Sequence, residues 1–207
     1  MHQGYILGAS ELFTVFFVMV GPLEHLMPFV RTTKNMTVDQ IQKLSVSSFL
    51  IVVPVMTVMG LFGRQLLHEW KIPIPVLQLT AGIVFFIMAL KLLIGKPEVA
   101  AVEVAKSDDP QIDPLTMALR VIINPYACGT LIVLLASSHE FERTLLILTM
   151  LIANLFLDCL ALRYVRILMG KAGQIVMRIL GAVLGIMQAA LAVTIIYLTL
   201  KMMTSAV

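Results

Sequence analysis

Charged residues are scarce in this sequence. Only 13% of its 207 residues are Asp, Glu, Lys or Arg, whereas 59% are hydrophobic. A soluble domain carries about a quarter charged residues, so this composition excludes an ordinary soluble globular domain. The net charge of +3 needs no nucleic-acid partner to explain it, because membrane proteins carry Lys and Arg in their cytoplasmic loops.

Residues and motifs that signal enzyme chemistry are also few. The two cysteines, Cys128 and Cys159, both fall in apolar segments, a setting that predicts neither a disulfide nor a cysteine-based metal site. The four histidines are dispersed. The sequence contains no P-loop, GxGxxG, GxSxG or HExxH pattern. It therefore predicts no enzyme activity, no metal and no cofactor.

Long apolar runs dominate what remains. A span of about 20 apolar residues is the length that crosses the hydrocarbon core of a bilayer, so the runs predict an all-α polytopic membrane protein whose environment is the lipid bilayer. The mean hydropathy of +0.97 agrees with this class. The six predicted spans are Leu12–Val30, Leu44–Leu67, Pro75–Ile94, Leu115–Ser137, Leu145–Leu162 and Val176–Leu200.

The distribution of Lys and Arg predicts the orientation of these spans. Cytoplasmic loops carry the excess of basic residues. With the N-terminus outside, ten basic residues lie in inner loops and four lie on the outer side, which favours both termini outside. The ten are Arg31, Lys34, Lys43, Lys91, Lys96, Lys106, Arg163, Arg166, Lys171 and Arg178, and the four are Arg64, Lys71, Arg143 and Lys201.

One polar stretch, KPEVAAVEVAKSDDPQIDP at residues 96–114, separates two halves of three spans each. Its acids and prolines predict a flexible cytoplasmic linker between residues 1–95 and residues 115–207. Because three is odd, two similar halves would insert in opposite senses. Inverted three-helix repeats of this kind are a common plan of secondary transporters.

Two proline-containing stretches interrupt the first and fourth spans. They are GPLEH at residues 21–25 and VIINPYACGT at residues 121–130. Pro22 falls ten residues after the start of its span, and Pro125 does the same, so both prolines are predicted near the membrane midplane. The sequence therefore predicts that helices one and four are broken.

A broken helix leaves backbone groups that lipid cannot satisfy, so it is tolerated only when buried in protein or lining a wet cavity. We therefore predict that the two breaks bind a small polar solute. The alternative is a pair of simple packing kinks. The predicted solute-binding residues are Gly21, Pro22, Asn124, Pro125 and Gly129.

Three ionisable residues, Glu24, Arg120 and Asp158, lie five to seven residues from the inner ends of their spans. An intramembrane charge costs a few kcal/mol even on lenient scales, so such groups usually pair. Two interpretations remain open: Arg120 pairs structurally with Glu24 or Asp158, or one of these acids carries a proton that drives solute movement. His25 could assist such a proton carrier, although a lone histidine near the membrane interface is more often structural.

The sixth span contains Gly181 and Gly185 in a GxxxG spacing. Small residues at this interval let helices approach closely. The pattern predicts tight packing, either within the fold or between two copies in a homo-oligomer.

Three stretches closely resemble the MarC family of integral membrane proteins. They are KIPIPVLQLTAGIVFFIMALKLL at residues 71–93, GPLEHLMPFVRTTKNMT at 21–37 and MGKAGQIVMRILGAVLGIMQ at 169–188. The last carries the family's run of glycines, arginine and glutamine. Asn-Pro usually marks the first break in this family, and a Gly-Pro-Gly type motif the second. Here Gly21-Pro22 comes first and Asn124-Pro125 second, so the chain looks like a divergent member.

The resemblance implies six spans in two inverted halves, in a bacterial inner membrane, within a wider group of lysine exporter-like small carriers. It also implies transport of a small solute, with neutral amino acids as the leading class, driven by a proton or ion gradient. Two alternatives stay open: a non-transporting scaffold or regulatory partner, and an ion or metal permease.

Overall fold

The computed structural model describes residues 7–94, 113–123, 125–138, 140–168 and 170–205. Within these ranges the chain is helical and contains no strand. Residues 96–112 of the predicted linker lie outside the described residues. The helices are α1 Ala9–Met19, α2 Pro22–Thr32, α3 Val38–Glu69, α4 Ile74–Ile94, α5 Pro114–Met117, a π-helical turn Ala118–Ile122, α6 Pro125–Ala136, α7 Phe141–Arg163, α8 Val165–Leu168 and α9 Lys171–Ser205.

Three of these helices are long and apolar enough to cross a membrane. They are α3, α7 and the Ile179–Thr204 part of α9. Shorter apolar helices accompany them at Ala9–Met19, Ile74–Leu90 and Ala127–Ala136. The predicted class, an all-α polytopic membrane protein, is confirmed at this level, while the inverted arrangement of six spans stays a prediction.

The first break lies where the sequence predicts it. Gly21 is extended, with φ −84° and ψ 179°, because the ring of a following proline disfavours helical backbone. Pro22 then opens α2 at the first helical position, where its missing N–H costs nothing. A Cβ atom built on Gly21 would lie 2.1 Å from the carbonyl oxygen of Phe17. Only glycine therefore allows α2 to begin so close to the end of α1.

The second break involves more residues than predicted. Before the proline, the chain forms a π-helical turn in which the Ile123 N–H donates to the Ala118 carbonyl at 2.9 Å. Ile123 then becomes extended, with ψ 100°, and α6 begins at Pro125. Asn124 lies outside the described residues. Single π-helical turns are uncommon and concentrate at functional positions.

The segment that leads into this π-helical turn is fixed at its start. Asp113 caps α5 by accepting a hydrogen bond from the Thr116 N–H at 3.2 Å. Hydrogen bonding from the Thr116 side chain also lowers the pKa of Asp113 below its ordinary value. The Ser48 hydroxyl of α3 donates to the Pro114 carbonyl at 3.3 Å, so α5 is held against the first half of the chain.

Helices that precede residue 95 pack against helices that follow residue 112. Helices α1 and α2 both pack against α7, and α5 and α6 both pack against α3. In addition, α1 contacts α9 and α6 contacts α4. The pairs α3 with α7 and α4 with α9 are also in contact.

Glycines allow the closest of these approaches. A Cβ atom at Gly63 would lie 2.5 Å from Ile132, and one at Gly60 would lie 2.7 Å from Leu131, so α3 and α6 pack with little separation. Gly181 and Gly185 are also buried within the chain. A homo-oligomer through that same face stays a prediction.

Gly21 and Gly129 give a matched test of the first break. Gly21→Ala places a methyl group against backbone and should lower the free energy of unfolding by about 1–3 kcal/mol, the usual cost of overpacking. A Cβ atom at Gly129 meets nothing within 4 Å, so Gly129→Ala should raise stability by up to about 1 kcal/mol through helix propensity. Thermal unfolding in detergent measures both, and a stability change of the same sign in the two variants would contradict the close approach at Gly21.

Candidate functional site

A buried hydrogen bond joins the two halves next to the first break. His25 lies in the first turn of α2, and its Nδ1 is 3.0 Å from Oδ2 of Asp158 on α7. The two side chains are only 1% and 2% exposed. Because 133 residues separate the partners in sequence, the bond ties the helix after the first break to the second half of the chain.

This pair can hold one proton between two titratable groups. With the proton present it is either an imidazolium–carboxylate ion pair or a neutral imidazole bonded to a carboxylic acid. Without the proton, a carboxylate remains in a low-dielectric interior, which is unfavourable unless another positive group approaches.

The face of α7 that carries Asp158 also carries a second buried acceptor. The Asn154 side chain donates from Nδ2 to the Met150 carbonyl at 2.9 Å. Oδ1 of Asn154 and Oδ1 of Asp158 are buried and have no hydrogen-bond partner within the described part of the chain. Residues four apart lie on the same helix face. Two buried oxygen acceptors thus sit one helical turn apart, and buried polar atoms of this kind call for an explanation.

A small pocket extends from Asp158 toward the second break. It has about 10 Å³ of space for the centre of a water molecule, close to the minimum that holds one water. The walls come from α3, the π-helical turn and α7. The lining residues are Ser45, Phe49, Val52, Ile122, Leu155, Asp158, Cys159 and Leu162.

The elements that carry the two breaks are themselves in contact. Helix α2, which starts at the first break, packs against the π-helical turn that leads into the second. Asp158 lies next to both elements. It bonds to His25 of α2 and lines a pocket together with Ile122 of the π-helical turn. Parts of the chain that are distant in sequence therefore converge on one carboxylate.

The residues predicted for the site divide into two groups. Gly21 and Pro22 are buried at the first break, Gly129 is half-buried on α6, and Asp158 is buried. The others fall outside what the structure describes, so the pairing of Arg120 with Glu24 or Asp158 stays a prediction. Those others are Asn124 and the side chains of Glu24, Arg120 and Pro125.

The roles of two residues of the site were difficult to predict from the sequence. His25 stands beside Glu24 in the GPLEH stretch, but a lone histidine does not disclose a partner on a distant helix. Ser45 sits in an apolar run and becomes notable only because α3 places it on the wall of the Asp158 pocket. The partner of His25 and the location of Ser45 were not predicted, because pairing between distant helices depends on packing that a single sequence does not record.

The described side chains do not assemble a divalent metal centre. No group of three or more His, Cys, Asp or Glu residues that could hold a metal occurs among them. His25 and Asp158 supply only two such groups, and one of them is committed to bonding the other.

A double-mutant cycle tests the energetic link between His25 and Asp158. Each of His25→Leu and Asp158→Leu should lower the free energy of unfolding by about 3 kcal/mol, because each leaves a buried polar partner alone. The double variant should lose less than the sum by about 1–3 kcal/mol. Unfolding of the detergent-solubilised protein measures these values. Glu142→Gln on the exposed start of α7 is the control, and additive losses would show that the two residues are not coupled.

Comparison with known proteins gives one family. No curated protein and no solved structure matches the chain. The profile of the MarC family of integral membrane proteins matches residues 8–204, which is nearly the whole sequence and includes both breaks, His25 and Asp158. The resemblance seen in the sequence is thereby confirmed, and the chain belongs to the MarC family of integral membrane proteins.

Proposed function

We propose that this protein is a secondary transporter of a small polar solute, with neutral amino acids as the favoured class. The observation that carries the proposal is the contact between the elements of the two helix breaks around the buried His25–Asp158 pair. Broken helices at membrane depth require burial or a wet cavity, and here the region around the breaks also contains a titratable pair.

The lengths of the half-helices support a plan of six spans. Helices α1 and α2 have 11 residues each, about 16 Å at 1.5 Å per residue, or about half of the 30 Å hydrocarbon core. Together they cross it once, and α5, the π-helical turn and α6 do the same. The packing of the first broken segment on α7 and of the second broken segment on α3 supports inverted repeats over residues 1–95 and 115–207.

The polarity of the breaks favours a solute that carries both charges. The start of α2 presents backbone N–H groups and the positive end of a helix dipole, which suits a carboxylate. The end of the π-helical turn presents backbone carbonyl oxygens and the negative end of a helix, which suits an ammonium group. A neutral amino acid is a zwitterion with these two groups, and transporters with broken helices use helix ends in this way.

The His25–Asp158 pair is the proposed site of proton coupling. It is buried, it holds a proton between two groups, and it bonds helices of opposite halves. Gain or loss of that proton would change how firmly the halves are held together, so it would bias one conformation over the other. Glu24 is proposed as a further proton carrier in the same region, and Arg120 as its counter-charge.

A polar cluster far from this pair is a candidate for closing the outer end. Arg64 of α3 donates to the Thr144 hydroxyl at 3.0 Å, and the hydroxyls of Ser138 and Thr144 are also 3.0 Å apart. Asp158 lies 14 residues beyond Thr144 on the same helix, about 21 Å away. Under the proposed orientation, with both termini outside a bacterial inner membrane, rocking of the halves would break this cluster and open the breaks outward.

The two alternatives predict different behaviour. A non-transporting scaffold tolerates removal of the buried charge as long as the fold survives. An ion or metal permease moves cations without any organic solute. Neither alternative requires the two helix ends to be complementary to a zwitterion.

Uptake into proteoliposomes tests the proposal directly. Purified protein should accumulate labelled glycine or alanine when a proton gradient is imposed, and Asp158→Asn or His25→Gln should lower the initial rate by about ten-fold or more, as expected when a coupling group is lost. Glu142→Gln removes an exposed charge from the same helix and should leave the rate unchanged.

Comparable folded protein in all variants, shown by melting temperature and size-exclusion profile, is the control for this comparison. Gradient-driven uptake that persists undiminished in folded Asp158→Asn and His25→Gln would refute the coupling role. Absence of uptake for every neutral amino acid would refute the proposed substrate class.

A further inference from the structure

The pocket beside Asp158 offers hydrogen-bond acceptors and, within its described walls, no spare donor. The Ser45 hydroxyl donates to the Ile41 carbonyl at 3.0 Å, so it presents only lone pairs to the pocket. The Cys159 thiol points to the Ser45 carbonyl at 3.7 Å. Oδ2 of Asp158 is taken by His25, and its Oδ1 is buried with no partner among the described residues.

The π-helical turn adds further oxygen atoms at the same place. A carbonyl near the end of a helix normally bonds the N–H four or five residues later. Pro125, which has no N–H, is four residues after Val121 and five residues after Arg120. Each of these two carbonyls therefore loses one of its two usual helical donors, next to Ile122, which lines the pocket. The negative end of the short helical segment adds to the attraction for positive charge.

Size and charge restrict what can occupy the pocket. Space for about one water molecule excludes an amino acid and admits a water or a small inorganic cation. Among the described lining residues only Asp158 has a carboxylate, and that carboxylate already bonds His25. Divalent ions take six or more oxygen ligands and favour several carboxylates, so a singly charged ion fits this donor set better.

We propose that the pocket formed by Asp158, Ser45 and the end of the π-helical turn binds a monovalent cation, with Na⁺ as the probe. The ion replaces the missing donor at Oδ1 of Asp158 and compensates the carboxylate when His25 is neutral. Its use as a coupling ion rests on the proposed transport function, whereas its binding does not.

Melting of the purified full-length protein in detergent tests the site. Melting temperatures are compared in NaCl, choline chloride and MgCl₂ at equal ionic strength and without solute. Since a ligand that binds only the folded state stabilises it by mass action, Na⁺ at about ten times its Kd should raise the melting temperature by roughly 3–6 °C over choline. The rise should vanish in Asp158→Asn and persist in Glu142→Gln.

Two serine variants provide a second test of the cation site in case Asp158→Asn does not fold. Ser45→Ala removes a lining oxygen that bonds only its own helix, so it should fold and should reduce the Na⁺-dependent rise. Ser47→Ala, two residues away and not on the pocket wall, should keep the full rise.

Three results would overturn the proposal. They are equal melting temperatures in Na⁺ and choline, an undiminished Na⁺ response in both Asp158→Asn and Ser45→Ala, and a larger Asp158-dependent rise with Mg²⁺. Solute uptake is measured separately, so that Na⁺ binding without any uptake would reject the transport function while supporting the cation site.

Discussion

A backbone polar group inside a membrane must find a partner within the protein, and the rest of this structure depends on that constraint. The chain breaks a helix at Gly21 and again at the π-helical turn before Pro125. Each break frees carbonyl or N–H groups that lipid cannot satisfy. Packing the two breaks against each other, and against α3 and α7, is the arrangement that keeps them away from lipid.

That arrangement explains why a carboxylate can lie in the interior of so apolar a chain. Asp158 is held by His25 on one side and faces the pocket beside the π-helical turn on the other. It bonds a helix of the first half from a helix of the second half. Under the proposed transport function, a change in its charge would alter the contact between the halves, as a carrier that alternates between two conformations requires.

Some features of the fold followed directly from the sequence. The lengths of the apolar runs predicted the helices. The Gly21-Pro22 pair predicted the position of the first break to within one residue, because proline and glycine act on the local backbone. The π-helical turn was not predicted, since its start at Ala118 depends on how α5 packs against α3. The bond between His25 and Asp158 was likewise not predicted, because 133 residues separate them and only the packing of α2 on α7 brings them together.

We propose that the second break faces water rather than lipid. Reaction of a single introduced thiol with a membrane-impermeant reagent tests this most directly, in a background where Cys128 and Cys159 are replaced by alanine. Gly129→Cys, at a position with open space, should react, and glycine or alanine should slow the reaction. Leu131→Cys, fully buried against α3, should stay unreacted. An unreactive Gly129→Cys in folded, inserted protein would contradict a wet cavity at the break.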